Sequence, residues 1–134
     1  MRILTAAIAL LALFAIGCAS TPGTDTRSAT SAAVSLAAAK EGESVKLTLT
    51  NASDQTVAYN LCTSALFQRS SADWRNVRTD HACTMELRTL AAGASDSFAY
   101  PLPAGISRGQ YQFRNSIEVA GARREVASNS IALP

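Results

Sequence analysis

The sequence predicts an all-β fold, an antiparallel β-sandwich of about seven strands that follows a signal peptide and a flexible tether. Three observations lead to this expectation. Apolar and polar residues alternate with a period of two along much of residues 34–134, which is the pattern of half-buried strands. Turn-forming residues recur about every 8 to 12 positions, as expected between short strands. The segment is about 100 residues long, which is the size of one domain.

The first eighteen residues have the features of an export signal. Met1-Arg2 supplies a positive charge, residues 3–16 form an almost unbroken apolar run, and Gly17 precedes Cys18. A charged start, an apolar stretch and a small residue before the cut are typical of a cleaved signal peptide. The run is also shorter than the about 20 residues that span a bilayer as a helix. Cleavage elsewhere and an uncleaved membrane helix are the alternatives.

Ala15-Ile16-Gly17-Cys18 resembles the lipobox of bacterial lipoproteins. The resemblance implies a signal peptide over residues 1–17, lipidation of Cys18, and a flexible tether over residues 18–33. Several acyl chains on Cys18 would make the membrane a stable partner. Ala19 follows the cysteine, in place of the aspartate that retains many lipoproteins in the inner membrane. We therefore expect an exported protein that is anchored to the outer membrane and faces the periplasm.

Each strand is predicted from an alternating run that ends at turn residues. The runs cover residues 45–50, 57–61, 66–70, 74–78, 84–90, 97–102, 110–119 and 123–133. The third and fourth runs flank the polar residues 71–73 and predict a hairpin. Pro101 and Pro103 end the sixth run, because proline cannot donate to a ladder. The last run changes parity between Val126 and Ile131, so we expect a bulge or kink near residues 128–129.

The longest run is the clearest of the predicted strands. Its inward face has one polar exception, Asn115, among the apolar residues Tyr111, Phe113, Ile117 and Val119. Gly109-Gln110-Tyr111 resembles the tyrosine corner of immunoglobulin-type sandwiches. About seven short strands with turns every 8 to 12 residues predict an immunoglobulin-like fold over residues 34–134, and this motif agrees with it. A small barrel is the alternative. Trp74 does not stand where antibody domains have their core tryptophan, and we expect it to be partly exposed.

The three cysteines divide into one and two. Cys18 is assigned to lipid, which leaves Cys62 and Cys83. In an oxidising compartment such a pair indicates a disulfide, and two cysteines allow one connectivity. A free thiol pair and a metal site are the alternatives. Structural zinc takes four ligands, but the chain has one histidine besides these two sulfurs, so we expect no metal and no cofactor.

Several stretches together resemble bacterial immunoglobulin-like domains of exported proteins, which are similar in appearance to the intracellular proteinase inhibitor family of bacilli. The stretches are Leu47-Thr48-Leu49-Thr50-Asn51, Tyr59-Asn60-Leu61-Cys62, Ser64-Ala65-Leu66, Asp73-Trp74, Cys83, Leu90 with Gly93, and Gly109-Gln110-Tyr111-Gln112-Phe113-Arg114. Ala92 stands where a proline usually precedes the glycine, which affects a turn. The resemblance implies a sandwich and, for most such domains, no assigned activity.

Composition and motifs argue against two classes of function. The formal net charge is +2 and the arginines are scattered along the chain, whereas a nucleic-acid footprint gathers them on one face. His81 is the single histidine, and no serine and acid stand out that would complete a catalytic triad with it. The glycines stand in turns that no helix follows, so no phosphate-binding loop is predicted. We therefore expect neither a nucleic-acid-binding protein nor an enzyme.

The remaining expectation is a non-catalytic cell-envelope lipoprotein, a binding or structural module whose partner is an envelope protein or a glycan. Trp74, Arg75 and Arg78 are the candidate binding residues, because a tryptophan beside arginines has the composition of a binding hot spot. The alternative is that Trp74 covers the end of the sandwich. A proteinase inhibitor that acts through the disulfide-bracketed residues 63–82 is the second hypothesis. An accessory domain that has lost, or never had, a catalytic partner is the third.

Overall fold

The computed structural model describes residues 33–134. The predicted signal peptide, Cys18 and the tether up to residue 32 lie outside the described residues. The described part contains ten strands and one turn of 3-10 helix, Leu61–Thr63. The strands are β1 Val34–Glu41, β2 Ser44–Asn51, β3 Val57–Tyr59, β4 Ala65–Ser70, β5 Asp73–Val77, β6 Arg88–Leu90, β7 Ser95–Pro101, β8 Gly109–Val119, β9 Ala122–Ala127 and β10 Ile131–Leu133. A helix able to cross a membrane is not found among these residues.

The strands form two antiparallel sheets that pack as a sandwich. The smaller sheet has the order β1-β2-β7, and the larger has the order β5-β4-β8-β3-β6, with β9 and β10 also paired to β8. Strand β8 is the axis of the larger sheet, because β4 and β3 pair with successive stretches of one edge and β10 and β9 with the other. The predicted all-β sandwich is confirmed. The pairs β3 and β4, β5 and β6, and β9 and β10 each behave as one interrupted strand, and counting each pair once gives the seven strands expected.

The core lies between the sheets and is filled by the alternating residues. From β2 it takes Val45, Leu47 and Leu49, which are fully buried, and β8 contributes the inward face predicted from its sequence. Each large apolar side chain buried in this way contributes roughly 1.5–3 kcal/mol. The alternation therefore supplies the main driving force for bringing the two sheets together.

Strand β1 is an addition to the predicted strands. Its inward residues are Val34, Leu36 and Ala38, but its alanine-rich sequence has a weaker strand signal than the later runs. The outer edge of β1 is covered by a side chain: the Ala38 N–H donates to Asn129 Oδ1 at 2.9 Å, and Asn129 Nδ2 donates to the Ala38 carbonyl at 3.0 Å. Asn129 lies in the break between β9 and β10, so the predicted kink at residues 128–129 is confirmed and covers an edge.

The predicted tyrosine corner is also present. The Tyr111 hydroxyl donates to the Ser107 carbonyl at 2.6 Å, and Tyr111 is buried. This bond ties the connection between β7 and β8 to the start of the longest strand. The longest irregular stretch of the described chain lies elsewhere, at the edge of the larger sheet that β5 and β6 form.

Candidate functional site

The least regular part of the sandwich is a segment that we call the strap, residues 78–87. It connects β5 to β6 along the outer edge of the larger sheet. The predicted strand over residues 84–90 is wrong for its first half, since β6 covers Arg88–Leu90 alone. The physical reason lies in its neighbour: β3 ends at Tyr59 and the chain turns into the 3-10 helix, so the strap has no backbone ladder beside it. Side chains hold it instead.

The first half of the strap is fixed at every second residue. The Tyr100 hydroxyl donates to Thr79 Oγ1 at 3.1 Å, and His81 Nε2 lies 2.9 Å from the Cys62 carbonyl, to which it donates. The ring of His81 also meets that of Tyr100 edge to face, with centroids 4.5 Å apart. The predicted disulfide between Cys62 and Cys83 is confirmed, with Cα atoms 5.7 Å apart. It ties the strap to the 3-10 helix.

The second half of the strap is held by one amide. Asn60 Nδ2 donates to the Thr84 carbonyl at 2.6 Å and to the Glu86 carbonyl at 3.0 Å. A side-chain amide has two N–H donors, and both are used here. The amide therefore takes the place of the missing ladder and fixes the backbone on either side of Met85.

Asn60 is itself held rigidly. Its side chain accepts a hydrogen bond from the Cys62 N–H at 3.1 Å, as the cap of the 3-10 helix. Asn115 Nδ2, from the centre of β8, donates to the Asn60 carbonyl at 2.7 Å and to Ser64 Oγ at 2.9 Å. Asn60 is 8% exposed and Asn115 is 1% exposed. Asn115, the polar residue on the inward face of β8, therefore holds Asn60 in place, and Asn60 in turn holds the strap.

The residue between the two clamped carbonyls is the most exposed large apolar residue of the described chain. Met85 is 86% exposed, and Leu87 follows at 56%. Both line a shallow depression of about 210 Å³ on the outer face of the larger sheet. Thr84, Glu86 and Arg88 instead line a second depression, of about 180 Å³. Side chains that alternate in this way are typical of an extended backbone.

A charged cluster fixes the point at which the strap enters β6. The Tyr59 hydroxyl donates to Asp96 Oδ2, and the Arg88 guanidinium lies 2.7 Å from the same oxygen. Burial, reinforced by the bond to Asp96, raises the pKa of Tyr59 to about 12. The hydrogen bond from Tyr59 is the largest cause that lowers the pKa of Asp96. The cluster joins β3, β6 and β7, and so links the end of the strap to both sheets.

The predicted binding residues do not share one surface. Trp74 lies on β5 opposite Arg69 and is half-buried, so its predicted partial exposure is confirmed. Arg75 is the next residue of the strand and its side chain leaves by the opposite face. Arg78 is exposed at the start of the strap. Whether any of the three binds a partner stays a prediction.

The face that carries Trp74 has an aromatic and cationic character of its own. Phe67 on β4 has the same side-chain direction, because its partner Asn76 lies two residues from Trp74. The Arg114 guanidinium carbon lies 4.3 Å from the centre of the Phe67 ring. Arg114 also reaches Glu125, with a nitrogen-to-oxygen distance of 3.6 Å. Arg114 and Phe67 already contact each other, and Arg114 also contacts Glu125. These side chains are therefore less available to a partner than the composition of this face indicates.

The predicted inhibitory segment, residues 63–82, is largely regular structure. Most of it forms the hairpin of β4 and β5, and the exposed extended stretch comes directly after Cys83, outside the bracket. Cys62, His81 and Cys83 also bring their ligand atoms within 4.8 Å of one another. The two sulfurs are bonded to each other, so this group offers His81 alone as a ligand.

What the edge of the larger sheet offers is a peptide segment with a fixed backbone and solvent-facing apolar side chains. The disulfide and the His81 contact hold it on one side, and strand β6 holds it on the other. Asn60 is the residue that sequence reasoning missed. Comparison of the chain with protein-family models and with curated proteins gives no match.

Proposed function

We propose that this chain is a non-catalytic, exported protein-binding module of the cell envelope, anchored to the outer membrane by lipid on Cys18, and that residues 84–87 are its contact surface. The carrying observation is the clamp of Asn60 on the carbonyls of Thr84 and Glu86, with Met85 exposed between them. The same edge offers an apolar anchor and a backbone in fixed conformation.

A segment that is ordered before binding loses less entropy when it binds. A flexible peptide loses conformational freedom when it binds, at roughly 0.5–1.5 kcal/mol for each side chain immobilised and more for the backbone. The strap has already lost its backbone freedom on folding, through the disulfide, His81 and Asn60. Its exposed apolar area is therefore available for binding at a reduced entropic cost. Met85 and Leu87 line one depression, and contiguous exposed apolar surface often marks an interaction site.

The proposed surface can be tested by site-specific photo-cross-linking. A photoreactive residue at position 85 of the full-length, membrane-attached chain should capture one enriched partner protein. The matched control places the same residue at Arg75, which is exposed on β5 but outside the strap. Capture from position 75 and none from position 85 would transfer the contact surface to β5 and overturn the proposal for residues 84–87.

The proposed anchor is tested separately. Cys18→Ser removes the lipidated thiol, so the protein should lose incorporation of an alkyne-labelled palmitate and leave the membrane fraction, since each buried CH₂ contributes about 0.8 kcal/mol to attachment. The control is Cys83→Ser, which removes a thiol of the disulfide and should keep the label. Equal labelling of the wild type and Cys18→Ser would contradict the anchor.

A further inference from the structure

We infer that the partner of residues 84–87 is a serine proteinase with an apolar S1 pocket, and that the strap presents Met85–Glu86 to it as an inhibitory peptide bond. This inference rests on the proposed function, because it assigns the partner of the same surface. It moves the inhibitory segment from residues 63–82 to the stretch after Cys83. Two features support it: the direction of the backbone carbonyls, and the restraints on either side of the Met85–Glu86 bond.

The backbone is arranged as a proteinase substrate is. Serine proteinases take the side chain before the attacked bond into the S1 pocket, while backbone donors receive the oxygen of the attacked carbonyl. The carbonyls of Thr84 and Glu86 both face Asn60. Successive carbonyls of an extended chain point to opposite sides, so the Met85 carbonyl is directed away from the scaffold. Its side chain, 86% exposed, is free to enter a pocket.

Side-chain chemistry selects the class of proteinase. Met85 is unbranched, flexible and apolar, so it adapts to a hydrophobic S1 slot of the chymotrypsin kind. A trypsin-type pocket carries an aspartate that requires a cation, and Met85 cannot supply one. Leu87, two residues on, is exposed at the same side of the strap and extends the apolar contact. The strap is therefore complementary to an apolar specificity pocket.

Inhibition, as opposed to cleavage, follows from what holds the leaving group. The proteinase serine Oγ attacks the Met85 carbonyl carbon, the bond to the Glu86 nitrogen breaks, and an acyl ester forms. The serine proton passes through the proteinase histidine to that nitrogen, which leaves as an amine. In a loose peptide the amine departs and water completes hydrolysis. Here Asn60 holds the Glu86 carbonyl, and β6 begins at Arg88, so the amine stays beside the ester.

The retained amine reverses the reaction. It attacks the ester carbon, its proton returns through the histidine to the serine Oγ, and the Met85–Glu86 bond is restored. On the other side, the disulfide at Cys83 and the Asn60 bond to the Thr84 carbonyl keep the acyl group in register. Such preorganisation is the general means by which a rigid segment binds tightly. The strap therefore occupies the proteinase without being consumed.

The test uses the full chain against chymotrypsin, subtilisin, elastase and trypsin. We expect inhibition of chymotrypsin or subtilisin with a constant below about 1 µM, in the range of specific complexes, and none of trypsin. Met85→Lys should reverse this preference by at least about 100-fold, since an S1 residue is a binding hot spot. Lys40→Ala, at an exposed position of β1 in the smaller sheet, is the control and should change nothing. Absence of inhibition by both the wild type and Met85→Lys would overturn the inference, as would an unchanged preference.

A second variant tests the clamp. Asn60→Ala releases both carbonyls, so the chain should change from inhibitor to substrate, with cleavage at Met85–Glu86 at least about 10-fold faster than in the wild type. Rapid hydrolysis of the wild type at the same bond would also overturn the inference. If Asn60→Ala fails to fold, Met85→Lys still decides. A cross-linked partner at position 85 that is not a proteinase refutes the inference alone and leaves the proposed function intact, while no partner at all refutes both.

Discussion

At the residue scale, two asparagines decide what the edge of the larger sheet can do. An apolar residue could not do what Asn115 does, because the Asn115 amide donates to the Asn60 carbonyl and to Ser64 Oγ in the gap between β3 and β4. The sequence marks Asn115 as unusual, since it interrupts an apolar face. Asn60 gives no such signal, because an asparagine near a turn is ordinary. Its role depends on carbonyls more than twenty residues away, and no local pattern contains that information.

The contact between Tyr59 and Asp96 gives a prediction about acid stability. Because the hydrogen bond from Tyr59 lowers the pKa of Asp96 below its ordinary value of 3.8 in the folded chain, this carboxylate stabilises the fold above that value and ceases to do so as pH falls through the lowered pKa. Tyr59→Phe should reduce the free energy of unfolding by about 1.5 kcal/mol at pH 7. The difference from the wild type should shrink towards about pH 2, as urea titrations at the two pH values will measure.

The matched control is Tyr111→Phe. Tyr111 is equally buried but donates to a backbone carbonyl, which does not titrate. Its loss should cost about 1 kcal/mol at both pH values. At alkaline pH the dependence of stability on pH has the opposite sign. The pKa of Tyr59 is raised to about 12, so the protonated hydroxyl stabilises the fold below the usual tyrosine pKa. This contribution is lost as pH rises towards 12. The same pH dependence in both variants would contradict the role of Asp96.

At the element scale, the sequence predicts strands where alternation is continuous and fails where tertiary contacts replace it. β8 lies close to its expected position because it buries one face along its length. The hairpin of β4 and β5 also lies close to its expected position, and the facing residues Leu66 and Val77 pack at the core. The run through Met85 and Leu87 has the same period but no core beneath it, since the chain before Ala65 has turned into a 3-10 helix. Periodicity does not reveal which neighbouring strand is absent, and so the strap is predicted as a strand.

The disulfide gives a prediction for the strap as an element. Replacing both Cys62 and Cys83 with serine removes a closure between residues 21 positions apart. The free energy of unfolding should fall by about 3 kcal/mol in the chain-entropy account. Proteolytic cleavage should accelerate in residues 78–87 first, because the hydrogen bonds of Tyr100, His81 and Asn60 then hold them without the covalent tie. Cleavage within β8 at denaturant concentrations well below the unfolding midpoint should change little.

The control for this experiment is the wild type after chemical reduction, which keeps the cysteine side chains and loses the bond. It should reproduce the faster cleavage of the strap. If cleavage of the strap is equally fast with and without the bond, the strap is held by hydrogen bonds alone and the disulfide has no local effect. An equal acceleration throughout the sandwich would instead show that the strap does not open independently.

At the scale of the whole molecule, the sandwich follows from the sequence because one physical requirement governs it: two half-apolar sheets must cover each other. Whether Trp74, Arg75 and Arg78 bind a partner stays a prediction, because composition does not reveal which face of the sheet each side chain takes. Sheet topology adds one further property. Strands on either side of Met85 are interleaved, with β7 beside β2 in one sheet and β8 beside β4 and β3 in the other.

This interleaving predicts that a chain cut at one bond keeps its fold. Met1 and Met85 are the two methionines, so cyanogen bromide cuts the interior of the chain once, between Met85 and Glu86. Both disulfide cysteines precede the cut, so no covalent bond joins the two fragments. After removal of the acid they should nevertheless reassemble, because each sheet needs strands from both fragments to bury its apolar face.

Reassembly is measured by size-exclusion chromatography and far-ultraviolet circular dichroism of the mixed and the separated fragments. The mixture should elute as one species with a β spectrum, and each separated fragment should be unfolded. Urea should dissociate the mixture without any reductant. The uncut chain, taken through the same acid treatment, is the control for refolding. Separate elution of the fragments while the control refolds would contradict the topology, because a cut at an exposed strap residue should leave the two-sheet core intact.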